Sequence, residues 1–173
     1  LYHEKMKALI LGWREVFDHP EMPFHFVQLA PYRYNRPEAL PGIWQAQLAT
    51  LAVKRTGMAG TVDIGNVNDI HPKNKQEVGR RLSLWALAND NDKGIPVYTG
   101  PLFEKLQLGT ANHLLVSFQQ GSAGGLTTRD NESPSHFEVA DADGKWHAAT
   151  AKITDKGQVQ LASKNVDAPV AVR

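Results

Sequence analysis

One local pattern restricts the fold of this chain more than any other, the stretch from Asp63 to Trp85. Gly57–Ile64 is a short, small and apolar run, long enough for a strand and too short for a helix. Beyond it Val78, Leu82 and Trp85 recur at the spacing of a helix with one buried stripe. The segment between them is polar and holds Asp63, Asp69 and His71. Asn74 and Glu77 have the spacing of a capping box that starts the helix. Pro72 disfavours the α conformation at His71, so the backbone there is expected to be extended. Side chains two apart in extended backbone project to the same side, with Cα atoms about 6.6 Å apart. Asp69 is thereby placed to reach the imidazole of His71 and fix its tautomer, which is the base half of a hydrolytic triad.

The same alternation runs upstream. Met6, Leu9, Ile10, Trp13, Val16 and Phe17 mark one face of a helix over about residues 2–17, closed by Asp18-His-Pro20. Phe24–Ala30 reads as a parallel strand covered on both faces. A loop from Pro31 to Pro37 leads to a second helix over about residues 38–54, with Trp44, Leu48, Leu51 and Ala52 turned inward. A second strand-like run, Met58–Ile64, precedes the loop of Asp69 and His71. Helix–strand–helix–strand–helix predicts an α/β domain with a doubly wound parallel sheet, where ligand chemistry gathers at the carboxyl ends of the strands. After Asn89–Gly94 the pattern changes to short runs at Pro96–Tyr98, Leu106–Leu108, His113–Phe118, His136–Val139, Trp146–Ile153 and Val159–Ala162. Turn chemistry at Ala142–Gly144 and Thr154–Gly157 separates them, predicting a β-sandwich region. The boundary is expected at 92/93, giving domains 1–92 and 93–173.

The run DIGNVNDIHPKNKQEVGRRLSLWALA, residues 63–88, resembles the last signature block of the sialate O-acetylesterase family, carbohydrate esterases of SGNH-hydrolase type. FHFVQLAPYRY, LPGIWQAQLATLAVKRTGMA and VYTGPLFEKLQLG are similar to the same family in the same order. The likeness is strong over residues 1–110 and thinner to Arg173. It implies an SGNH or flavodoxin-like parallel sheet and removal of acetyl groups from sugar hydroxyls by a Ser-His-Asp mechanism. It also implies that His71 and Asp69 are catalytic. The blocks that carry the family's nucleophilic serine and oxyanion hole have no counterpart here. The chain is therefore expected to be the C-terminal half of such an enzyme, inactive alone, with the N-terminal half as its partner. Leu1 already lies in a helical pattern and the last residues read as an interrupted strand, so both ends look cut. The spacing departs from the Asp-x-x-His of the wider group, which leaves Asp63 as the rival partner for His71.

Composition narrows the alternatives. With 19 basic and 18 acidic side chains, net charge is +1, and no global field favours nucleic acid or a membrane as partner. No cysteine is present, so disulfides and thiolate chemistry are excluded. A metal reading of Asp63, Asp69 and His71 is weak, because no further ligand stands at helical ligand spacing. No cofactor is expected. An O-acetylated sugar is the expected substrate, a sialic acid by the family name, with acetylxylan-type polysaccharide as rival. The competing class is a non-catalytic carbohydrate-binding or interaction module. Gln28, Tyr32, Tyr34 and Gln47 are candidates to line a sugar pocket, with structural roles as the plainer reading. Lys73, Lys75, Arg80 and Arg81 read as a solvated helix face. The family suggests a periplasmic or secreted enzyme.

Overall fold

A computed structural model describes residues 1–36, 38–90 and 94–173 of the chain. Two compact units result, Leu1–Thr99 and Gly100–Arg173. The boundary expected at 92/93 lies outside the described residues.

The first unit is built on two parallel strands. β1 (Phe24–Val27) pairs with β2 (Thr56–Ala59) in the register Phe24↔Thr56 to Val27↔Ala59. Helices α1 (Tyr2–Val16), α2 (Ala39–Ala49) and α3 (Lys75–Asn89) complete it, and a turn of 3₁₀ helix, Thr50–Ala52, extends α2. Strands and helices alternate as the sequence predicts, but both strands stop short of their expected ends. The ladder ends where Gln28 and Thr61 tie the chains together by other means. Gln28 N–H donates to Ala59 O at 2.9 Å, Thr61 Oγ1 donates to Gln28 O at 3.0 Å, and Thr61 N–H reaches Gln28 Oε1 at 3.3 Å. Thr61 then starts a turn, its carbonyl accepting from the N–H groups of Ile64 and Gly65. Asp63 consequently lies in that turn and not at a strand end.

The inward faces of α1 and α2 differ from those expected. On α1 the buried pair is Ile10 and Arg14, whereas Leu9, Trp13, Val16 and Phe17 are exposed. Arg14 is tolerated inside because its guanidinium donates to Met22 O at 3.0 Å and Lys54 O at 2.8 Å. On α2 the buried residue is Gln47, followed by Thr50 at the start of the 3₁₀ turn, with Leu48 turned out. Gln47 accepts from Leu29 N–H at 2.9 Å and donates to Val27 O at 3.1 Å, satisfying the edge of β1. Trp44 Nε1 donates to the carbonyl of Leu29 at 2.6 Å.

α3 behaves as its sequence predicts. Asn74 is the N-cap and its side chain accepts from Glu77 N–H at 3.2 Å. Trp85 is buried and donates to Met58 O at 2.9 Å. Tyr98 packs edge-on to its indole, with ring centroids 4.8 Å apart. Pro96–Tyr98 is thus irregular backbone and not the expected strand. Pro96 has no N–H for a ladder, and the ring of Tyr98 is taken up by Trp85.

The second unit is one antiparallel sheet of six strands in the order β3-β4-β7-β6-β5-β8. These are β3 (Phe103–Leu108), β4 (Leu114–Phe118), β5 (Phe137–Ala140), β6 (Trp146–Ile153), β7 (Val159–Ala162) and β8 (Ala171–Val172). The strands form one curled antiparallel sheet where the sequence predicts a β-sandwich region. β6 is shared along its length, pairing Trp146–Ala149 with β5 and Thr150–Ile153 with β7. Leu114, Val116, Val139, Ala151, Val159, Leu161 and Val166 form the core. Both expected hairpin turns are present, with Gly144 (φ 75°) and Gly157 (φ 70°) in the left-handed region that favours glycine.

Gly57 supports the first unit by having no side chain. A Cβ there would lie 2.7 Å from the indole of Trp85 and 2.9 Å from the ring of His25. Trp85 is held by its bond to Met58 and has little room to yield. Gly57→Ala should therefore destabilise the unit by about 1–3 kcal/mol. The check is the urea midpoint followed by Trp fluorescence, and an unchanged midpoint would refute the close-packing account.

Candidate functional site

The polar loop between β2 and α3 is ordered by its own side chains. Asn66 accepts from Asp69 N–H at 3.0 Å through its carbonyl and from Asn68 N–H at 2.9 Å through its side chain. Asp69 Oδ1 accepts from the backbone N–H of His71 at 3.0 Å, the two-residue reach typical of aspartate in turns. The same oxygen lies 3.5 Å from His71 Nδ1. The carboxyl of Asp69 is lowered from its ordinary value, first by the His71 N–H and also by the nearby Lys73 charge. Asp69 and His71 are thus brought together, but by a turn that bends at Ile70 and His71 and not by the extended backbone expected there, and the imidazole side chain is 89% exposed. A carboxylate on the Nδ1 side favours the tautomer with its proton there and leaves Nε2 as the basic nitrogen.

Asp63 is engaged elsewhere. Its two carboxylate oxygens accept from both terminal nitrogens of Arg81, each at 2.7 Å. Arg81 also donates to Gly60 O at 2.8 Å and to Glu77 at 2.9 Å. Arg80 adds two further bonds to Glu77, at 2.8 and 2.7 Å. Burial works against the charge on Arg81, but Asp63 and Glu77 outweigh it and raise its pKa above the ordinary arginine value. The expectation of a solvated Arg81 is therefore corrected: its side chain is 24% exposed and clamps β2's exit turn to α3. The signal was in the sequence, since Glu77, Arg81 and Trp85 are each four apart and share one helix stripe. In the metal reading of Asp63, Asp69 and His71, the guanidinium already occupies the cation position beside Asp63.

The loop after β1 borders the same region. Arg33 N–H donates to Val67 O at 2.8 Å, and a Cβ on Gly65 would meet the Pro31 ring at 2.4 Å. Tyr32 and Tyr34 stand on this loop with their rings 5.1 Å apart at 79°. Of the four pocket candidates, Gln28 and Gln47 are spent on backbone groups, which leaves the two tyrosines.

No family model matches the chain. It is 32% identical over 169 residues to a sialate O-acetylesterase of Rattus norvegicus, covering 84% of this chain and 30% of that protein. A sialate O-acetylesterase of Mus musculus is 31% identical over 134 residues, covering 66% of this chain and 25% of that protein. The crystal structure of a carbohydrate acetylesterase from Xanthomonas citri matches 99% of this chain and 40% of its own, with TM-score 0.89 and 35% identity. The chain thus spans less than half the length of each of these proteins.

The clamp has a pH signature. Hydrogen bonds from Arg80 and then Arg81 hold the Glu77 carboxyl down from 4.5 to about 2. A depressed carboxyl stabilises the folded state fully above its unfolded value and loses that contribution as pH falls towards the folded one. Stability of the first unit should therefore decline between about pH 4.5 and 2. Glu77→Gln should flatten that decline, and an identical pH profile of urea midpoints in both proteins would show that Glu77 is not responsible.

Proposed function

The chain belongs to the sialate O-acetylesterase family, and we propose that it supplies the base and its orienting carboxylate to a carbohydrate O-acetylesterase. The observation that carries this reading is the contact of one Asp69 oxygen with both the backbone N–H and the Nδ1 side of His71. The loop leaves the carboxyl end of β2, where α/β folds place their chemistry. The finer fold assignment is an SGNH or flavodoxin-like sheet to which β1 and β2 belong, with domains 1–92 and 93–173.

In this mechanism a serine outside the chain, on the N-terminal half of the same enzyme, attacks the acetyl carbonyl of an O-acetylated sugar. His71 Nε2 takes the serine proton as the C–O bond forms, then returns a proton to the departing sugar oxygen. Water, deprotonated by the same nitrogen, attacks the acetyl-serine; the bond from the acyl carbon to the serine oxygen breaks, acetate leaves, and the imidazolium returns the proton to the serine oxygen. Asp69 holds the ring and stabilises the imidazolium without itself taking the proton. Asp63 is the poorer orienting group, because its oxygens are bound to Arg81. The family suggests a periplasmic or secreted site of action.

Two measurements test this. The isolated 173-residue chain should not hydrolyse p-nitrophenyl acetate above a denatured control; saturable turnover lost in His71→Ala would place the nucleophile inside the chain. In a polypeptide that also carries the serine, Asp69→Asn should lower kcat on the order of 10⁴-fold, as for the template triad. Asp63→Asn should act mainly on stability, by breaking the Arg81 clamp. The reverse ranking of kcat in folded proteins would move the orienting role to Asp63.

A further inference from the structure

Tyr32 and Tyr34 form a corner. Tyr34 N–H donates to Tyr32 O at 3.0 Å, a three-residue turn with Arg33 at its apex. The turn swings both rings to one side, where they meet at 79° with centroids 5.1 Å apart. One ring is a floor and the other a wall. Both side chains are half-buried, and among the described residues neither hydroxyl has a hydrogen-bond partner. A purely structural tyrosine pair would be expected to anchor its hydroxyls or bury its rings.

The corner is stitched to the loop proposed as catalytic. The bond from Arg33 to Val67 O spans 2.8 Å, and Val67 stands two residues before Asp69. The Pro31 ring fills the space at Gly65 that a Cβ would need. Paired backbones lie about 5 Å apart, so the tyrosines stand within roughly one sugar ring's breadth of the Asp69 loop.

From these contacts, and resting on the esterase reading above, we infer that Tyr32 and Tyr34 hold the pyranose ring bearing the acetyl group. They would make the enzyme prefer sugar acetates to simple acetate esters. The axial C–H bonds of a pyranose carry slight positive charge and lie flat on the negative face of an aromatic ring. The second ring then bounds the sugar edge-on, and the free hydroxyls offer bonds to sugar oxygens. Neither tyrosine touches the reacting atoms, so both are specificity-determining positions.

The test compares an O-acetylated sialoside, an O-acetylated xyloside and p-nitrophenyl acetate, in a polypeptide that also carries the serine. Tyr32→Ala and Tyr34→Ala should each raise KM for the better sugar substrate roughly tenfold, equivalent to about 1.4 kcal/mol of lost contact. The kcat/KM for p-nitrophenyl acetate should stay unchanged, which also reports an intact fold. Tyr32→Phe and Tyr34→Phe keep the stacking ring and should raise KM less than the alanine variants. Equal losses on the sugar and aryl esters, or no change on either, would overturn the inference while leaving the esterase reading standing. Wild-type activity on the aryl ester without activity on either sugar would also overturn it. Wild-type inactivity on all three would overturn the esterase reading and this inference together.

Discussion

The first unit depends on the guanidinium of Arg81. Through its donors it binds Asp63, Gly60 O and Glu77 together. A fork of this kind fixes direction as well as distance, which a lysine ammonium in the same place would not do. It joins the turn that leaves β2 to the first turns of α3, eighteen positions away in sequence. With Asn74 capping the helix, the loop that carries Asp69 and His71 is held at both ends. The His71 ring itself stays exposed, with its Nδ1 3.5 Å from Asp69 Oδ1.

The other polar groups buried in this unit follow a common logic. Two parallel strands of four residues leave much backbone without a ladder partner. Gln47 supplies one with its amide, accepting from Leu29 and donating to Val27 as a neighbouring peptide group would. Gln28 and Thr61 do the same where the strands separate. Arg14 closes the carbonyls of Met22 and Lys54. The second unit uses the device more sparingly, Ser122 accepting from Leu102 N–H and donating to Gln119 O. Its strands pair with one another and enclose an aliphatic core.

That difference decides what the sequence could reveal. Trp146–Ile153 and Val159–Ala162 are readable to the residue, because a short run and the glycine turn beside it are local signals. α3 is readable for the same reason, from its cap and apolar spacing, whereas the nearness of Asp69 to His71 comes from aspartate reaching the N–H two residues on in a turn. The inward faces of α1 and α2 are not readable from hydrophobicity. Leu9, Trp13 and Leu48 are the apolar choices, yet Arg14 and Gln47 go inside to meet backbone groups far away in sequence. The end of β2 is hidden likewise, since it is set by where β1 stops pairing. Asp63 is likewise committed to a distant partner, its carboxylate bound by Arg81 eighteen positions on.

β6 has a consequence for how the second unit assembles. Its two ends belong to two hairpins, closed by short loops after Ala140 and after Ile153. Both are contacts between near neighbours in sequence, so each closes at small entropic cost. They share one strand, however, and must agree on which of its faces looks inward. Whichever hairpin zips first chooses for the other, and a one-residue slip would turn every side chain of the later partner to the wrong side. The strand thus acts as a template, transmitting a decision made at one turn across the sheet to the next.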